Sequence, residues 1–218
     1  MVRRGGGPGG IIMVLINPAK FATFAPKALP GTLAALEAAA ATHGLTDKLV
    51  LAHWLGQMHV ESKGFSTLSE NLNYSVDGLK KTFSRKRISA ADCETFGRKQ
   101  GRAANQNAIA NIVYGGAFGK AQLGNDQPGD GWRFRGGGVK QITGRANYRE
   151  AGHEAAPDVL RTDVKASAEA AANFFVKHKC VAAALKDDVT AVTLLVNGGT
   201  NGLADRKTRT AAAKKILA

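Results

Sequence analysis

From Pro30 to the C-terminus, apolar residues recur at three- and four-residue spacings between capping residues and glycine stops, a pattern that commits the chain to a mainly α fold. Thr32 is placed to cap a helix carrying Leu33, Leu36 and Ala40 as far as Gly44. Thr46 is placed to cap a second, running through Leu49, Val50, Trp54, Leu55 and Met58 to Glu61, with Gly64 as its stop. Ser75 opens a helix with Val76, Leu79 and Phe83, and another with Ile109, Ile112 and Val113 ends at Gly115. Thr143 opens a short helix through Tyr148. Thr162 or Asp163 opens a longer one with Val164, Ala168, Ala171 and Phe175, Asp188 one that runs to Asn197-Gly198-Gly199, and Leu203 the last. Between Gly115 and Gly138 the pattern lapses into a glycine-rich irregular stretch containing Trp132 and Phe134. Stretches of that length in a compact domain are usually functional or disordered, and the embedded aromatics favour function.

No repeat, linker or coiled-coil period divides the 218 residues, so one domain is expected, large enough to bury a core without staples. Residues 1–28 read as a flexible leader and N-terminal segment, with the leader proper over residues 1–12 and Met13 as an alternative start; residues 29–218 read as the domain itself. The apolar run Ile11–Ile16 is too short for a signal-peptide core or a membrane span, which places the chain in the cytoplasm of its producer. Cys93 and Cys180 stand far apart with no Cys/His cluster around either and are expected as free, buried thiols. A net charge of +13 draws the protein towards polyanions: nucleic acid, an anionic membrane or a bacterial envelope.

The chemically informative pair is Glu61 and Glu70, nine residues apart on either side of Gly64. Three- and four-residue spacings place Glu61 in line with Val50, Trp54 and Gln57, hence at the edge of the core, a setting that favours a protonated acid. Glu70 falls in a polar loop or small hairpin with Ser66, Ser69, Asn71 and Asn73, a setting that favours an ionised carboxylate. One protonated and one ionised carboxyl are what glycoside hydrolysis requires.

Other chemistries have less support. Gly115-Gly116-Ala117-Phe118-Gly119-Lys120-Ala121 is one residue short of a phosphate loop, has Ala where the metal-binding hydroxyl belongs, and follows a helix. His53 and His59 lie roughly 120° apart around a helix that turns about 100° per residue, so they do not form a zinc pair with Glu61, and no cofactor or metal is expected. There is no G-x-S-x-G, and His178 and Cys180 do not face one another. The eight basic residues between Lys80 and Arg102 lack interleaved aromatics, and no nucleic-acid-binding motif is present, so a solvated basic face is the plainer reading and nucleic acid is not an expected partner.

His59-x-Glu61-Ser62-x-Gly64-Phe65, Glu70-Asn71-Leu72-Asn73-Tyr74, the run Gly131-Trp132-Arg133-Phe134-Arg135-Gly136-Gly137-Gly138-x-x-Gln141-Ile142-Thr143-Gly144-Arg145-x-Asn147-Tyr148, and Val196-Asn197-Gly198-Gly199 together resemble glycoside hydrolase family 19. They occur in that family's order over roughly residues 45–210, and the short form is most similar to its bacteriophage endolysins. The resemblance implies a lysozyme-like, two-lobed α-helical domain with a small hairpin or loop region beside the cleft, and inverting hydrolysis without a metal. It matches Glu61 to the general acid, Glu70 to the general base and Ser66 to a serine beside them. Gln141, Thr143, Asn147 and Asn197 match polar residues lining the cleft, and Trp132 and Tyr148 would supply sugar-contacting surface. One departure is Gly137, where such endolysins often carry a second arginine.

The resulting expectation is a monomeric endolysin without a separate wall-binding module. It would cut β-1,4 bonds of peptidoglycan after holin-type release and be drawn to the anionic envelope by its charge. A chitinase of the same family acting on N-acetylglucosamine polymers, and a non-catalytic glycan- or polyanion-binding module, stand as alternatives. The last helix, with Leu203, Ala211 and Ile216 on one face and cations on the other, allows a membrane-pressing role, although a closing helix packed on the core is the plainer reading.

Overall fold

A computed structural model describes residues 15–218. Within them the chain is helical, with isolated bridges in place of strands. The expected leader and Met13 lie outside the described residues. The boundary at residue 29 is corrected: α1 (Pro18–Phe24) buries Phe21 and Phe24 in the main core together with Ile16 and Ala25. Ile16 also bridges Leu217, and the backbone N–H groups of Leu15 and Ile16 both donate to the Glu37 carboxylate at 3.0 Å. Seven helical residues around two phenylalanines gave too little periodicity to be seen in the sequence.

The fold is built on α3 (Lys48–Glu61), started by Asp47, whose carboxylate accepts from the N–H groups of Leu49 and Val50. Every residue from Val50 to His59 is buried, so this helix has no solvent face and runs through the core. Against it lies α14 (Leu203–Lys214). Gly56 allows the close approach: a Cβ there would come within 2.7 Å of the Thr210 backbone. The inward stripe of α14 is Arg206, Thr210 and Ala213, while Ala211 is exposed. The last helix is therefore a closing helix packed on the core, and Arg206 belongs to its buried face.

Around α3 are α2 (Thr32–Thr42), α11 (Val164–Lys177), α12 (Cys180–Ala184) and α13 (Val189–Asn197), with alanine-rich faces letting α2 and α11 pack closely. A second apolar cluster, with Leu72, Leu79, Phe83, Ile88, Cys93, Ile109 and Val113, is formed by α4 (Val76–Thr82), α5 (Ala90–Phe96) and α6 (Gln106–Val113). A third gathers Phe134 and Ile142, from the segment after α8 (Asp130–Arg133), with Tyr148, Leu160 and Ala170 from α9 (Arg145–Glu150), α10 (Val159–Thr162) and α11. Glu61 ends a helix of the first cluster, and the chain from Glu70 leads into the second.

Ser75, Asp163 and Asp188 cap α4, α11 and α13 as expected. Thr32 and Thr143 do not cap: glycines 31 and 144 precede α2 and α9. The stretch between Gly115 and Gly138 is more ordered than its composition implied, containing α7 (Gly116–Phe118), a π-helix (Gly119–Leu123) and α8, each too short to show a period. In the basic run, Glu94 pairs with Lys80 and Lys99. Arg87 donates to the Val113 carbonyl and lies 3.9 Å from the Phe118 ring centroid, so part of that charge is built into the lobe. Cys93 and Cys180 are free and buried, and burial pushes the Cys180 thiol up to about 11.

Candidate active site

Between the two carboxylates the chain reverses through three consecutive left-handed residues, Lys63 (φ 53°), Gly64 (φ 74°) and Phe65 (φ 58°). Only glycine adopts this region freely, and each of the others costs about 1–3 kcal/mol. Local contacts hold the turn. Gly64 N–H donates to the His59 carbonyl at 2.7 Å, and Phe65 N–H donates to Ser62 Oγ at 3.0 Å. The fully buried Phe65 ring packs on Phe21 and His59. The motif from Glu61 to Phe65 is thus a helix stop and reversal that sends the chain from one wall towards the other.

Glu61 is half-buried and paired: Arg206 Nη2 donates to its Oε1 at 2.6 Å. Arg206 also donates from Nη1 to Gln57 Oε1 at 2.6 Å and from Nε to the Asn201 carbonyl at 3.1 Å, while Gln57 Nε2 donates to Thr193 Oγ1 at 3.1 Å. Gln57, Thr193 and Arg206 are all buried. The apolar edge expected around Glu61 is therefore a polar network, with a guanidinium offsetting the burial of the carboxylate. Lys140 adds a second cation whose field reaches Glu61; burial pushes its pKa down. The sequence signal for this network was present in part, since Gln57 precedes Glu61 by one turn. Arg206 was readable only from its alignment with the small inward residues Thr210 and Ala213.

Glu70 is held on both oxygens. Tyr114 Oη donates to Oε1 at 2.5 Å and Gly136 N–H donates to Oε2 at 3.1 Å, while Glu70 N–H donates to the Gly136 carbonyl at 3.0 Å. Burial first, and the Glu70 charge second, push the Tyr114 hydroxyl well above its usual range, so it stays a donor. A Cβ on Gly136 would stand 2.9 Å from Gln141 Oε1 and 3.1 Å from Glu70 Oε2, which places both side chains beside the same glycine. Tyr114, at the end of α6, carried no sequence signal as a partner of Glu70.

Ser69 bridges Gly137, and Gly137 bridges Ile142 through a turn containing Gln141 at φ 56°. This is the small hairpin expected beside the cleft. It aligns the polar row: Gln141 Nε2 donates to the Gly138 carbonyl at 2.9 Å, Thr143 Oγ1 to the Gln141 carbonyl at 3.1 Å and Asn147 Nδ2 to the Thr143 carbonyl at 2.7 Å. All three are half-buried. Trp132 is also half-buried, beneath the Arg135 guanidinium. Asn197 ends α13 and donates to the Gly199 carbonyl. Ser66 donates to the Lys63 carbonyl and lines a shallow cleft with Thr67, Ser69 and Arg161; among the described residues it bonds to neither carboxylate.

Tyr148 is a correction. It is fully buried in the third cluster, and its hydroxyl is occupied, donating to the Arg135 carbonyl at 2.9 Å and accepting from Arg161 Nη1 at 2.6 Å. It is a packing residue with no face for a sugar. The same arrangement explains the glycine at 137, since a Cβ there would collide with the Tyr148 hydroxyl and reach 3.1 Å from Arg161 Cγ. Arg161, from α10, occupies the space an arginine at 137 would need.

No family model matches the chain. It is 32% identical over 197 residues, 88% of this chain and 92% of the relative, to a glycosyl hydrolase family 19 domain-containing protein of Haemophilus influenzae. Its fold is similar to that of chitinase C from Streptomyces griseus, with a TM-score of 0.59 and 14% identity over 97% of this chain and 95% of that one. It is equally similar to a bacterial family 19 chitinase, with a TM-score of 0.59 and 13% identity over 92% and 94% of the two chains. On the strength of the Haemophilus relative, the chain belongs to glycoside hydrolase family 19 and is a glycoside hydrolase.

Proposed function

We propose that this enzyme is an endolysin that hydrolyses β-1,4 bonds of bacterial peptidoglycan with inversion, Glu61 serving as general acid and Glu70 as general base. The observation that carries the assignment is the different partnering of the two carboxylates. Glu70 receives neutral donors on both oxygens, Tyr114 Oη and Gly136 N–H, and stands beside Gln141, an arrangement suited to orienting a water that loses its proton to Glu70. Glu61 is paired with Arg206, so it takes up a proton before acting as acid, and the guanidinium stabilises the carboxylate that re-forms as that proton passes to the leaving oxygen. An inverting pair of this kind stands roughly 6.5–9.5 Å apart to admit that water. Thr143 and Asn147 extend the polar wall, and the net charge of +13 favours an anionic polymer over a neutral one.

A chitinase reading is favoured by the solved structures of similar fold, which are chitinases. The test digests purified peptidoglycan and colloidal chitin in parallel with the native chain and Glu61→Gln, identifying new reducing ends by mass and their anomeric form by NMR. Muramic acid ends of inverted configuration, absent with Glu61→Gln, are expected. Products from chitin alone would establish the chitinase reading. Full activity of Glu61→Gln would overturn the acid assignment.

A further inference from the structure

The arginines around the site differ in how their donors are used. Arg206 bonds to Gln57, Glu61 and Asn201, and Arg161 to Asp158, Tyr148 and two backbone carbonyls. Arg145 is engaged by Asp130 and Glu154. Arg135 is different. Its guanidinium carbon lies 3.7 Å from the Trp132 ring centroid, and Nη1 donates to the Trp132 carbonyl at 2.9 Å. These contacts fix the plane of the group. Among the described residues, Nε and Nη2 have no hydrogen-bond acceptor, and no carboxylate lies within 4.0 Å of the guanidinium.

This group stands on the wall that carries the candidate base. The next residue, Gly136, donates its N–H to Glu70 Oε2 at 3.1 Å, and the Glu70 charge acts on Arg135. Arg135 is half-buried; burial first and the Arg161 charge second push its pKa down, while the Asp158 and Glu70 charges oppose the shift. The unoccupied Nε–H and Nη2–H form the fork that binds a carboxylate through two parallel hydrogen bonds. A chitin strand carries hydroxyls and acetamides but no charge, whereas the muramyl residue of peptidoglycan carries a lactyl group and, through it, a peptide bearing carboxylates.

We propose that Arg135, held on Trp132, is a specificity-determining residue that binds a carboxylate of the muramyl side chain and so favours peptidoglycan over neutral N-acetylglucosamine polymers. The inference rests on the peptidoglycan reading and adds the group that discriminates. The experiment compares the native chain, Arg135→Gln and Arg135→Lys on intact sacculi, on sacculi stripped of peptide by an amidase, and on chitohexaose, with thermal melting to confirm folding.

For Arg135→Gln, kcat/KM on sacculi is expected to fall about tenfold, the scale of a charge-assisted hydrogen bond. Activity on chitohexaose should stay within a factor of two or so. Arg135→Lys, which keeps the charge but loses the fork, is expected in between. In intact sacculi the lactyl carboxyl is amide-linked to the peptide, so a loss there assigns the bound carboxylate to the peptide. A loss that also appears on stripped glycan, where the amidase frees the lactyl carboxylate, shows that the fork accepts that group as well. Equal losses on sacculi and chitohexaose, or no loss on either, would overturn the inference while leaving the peptidoglycan reading standing. A native chain that cleaves chitohexaose and leaves sacculi intact would overturn both.

Discussion

Arg206 Nη2 meets Glu61 Oε1 at 2.6 Å across 145 residues of sequence, so the candidate acid at the end of α3 is completed by the closing helix α14. Their side chains are 5% and 13% exposed, which makes this a mostly buried ion pair. Removing one member leaves the other charge uncompensated. Arg206→Met is therefore expected to lower unfolding free energy by about 3 kcal/mol and to abolish most activity. Adding Glu61→Gln to it should recover part of the stability and none of the activity. Urea denaturation of the two single variants and the double variant measures the coupling directly.

Tyr114→Phe tests the other wall. It removes the hydrogen bond to Glu70 Oε1 but keeps the ring, which is packed with the second apolar cluster. Burial and the Glu70 charge hold the hydroxyl protonated at any working pH, so the loss should be that of a donor, with no new titration. A fall in kcat/KM of about tenfold is expected, the scale of a hydrogen bond to a charged group, with the melting temperature little changed. Steady-state kinetics of the two chains measures it; an unchanged kcat/KM would contradict this account.

How far the sequence was legible follows the range of the interactions involved. Helices marked by local chemistry, such as those capped by Ser75, Asp163 and Asp188, were readable because cap and helix are adjacent. Glu61 and Glu70 stood out as a pair of carboxyls in different local settings, but the apolar edge expected beside Glu61 is a polar network. Their partners Arg206 and Tyr114 lie 145 and 44 residues away, and no local pattern pairs residues at that range. Tyr148 was misplaced because an aromatic in a glycine-rich motif fits a cleft wall and a small core equally well. Burial of its ring and occupation of its hydroxyl decided between them.

Asp187 gives a pH dependence with a definite sign. Its carboxylate accepts from Lys214 Nζ at 2.6 Å and lies 2.8 Å from Nε2 of the buried His53; Lys214 first and His53 second hold its pKa below the usual value of 3.8. A carboxylate depressed in the folded state contributes stability that is complete above the unfolded pKa and is lost as pH falls through the folded value. The native chain should therefore lose this contribution only below about pH 4. Asp187→Asn removes the charge while suiting the left-handed backbone at this position, φ 56°. Melting temperatures from pH 6 to 2.5 should show a constant deficit for the variant above about pH 5 that narrows on further acidification. A deficit independent of pH would point to packing in place of charge.

Lys140 is the residue whose presence costs the fold most visibly. It is 9% exposed, its ammonium lies 4.4 Å from the Phe174 ring centroid, and it makes no hydrogen bond among the described residues. Burial drives its pKa down, opposed by Glu61 and reinforced by Arg206, with the Cys180 thiol also nearby. Because the folded pKa lies below the unfolded one, the unfolded chain binds more protons between those two values, and stability must rise with pH across that interval. The penalty is greatest below the folded pKa and disappears above about pH 10.4. Lys140→Met keeps the volume and removes the charge, so it should stabilise the protein at pH 7 by about 1 kcal/mol and abolish the alkaline rise. If the variant is also less active, with the loss in kcat and not in KM, the cation is retained for the field it places on Glu61. A variant both more stable and fully active would show that Lys140 contributes nothing to the reaction.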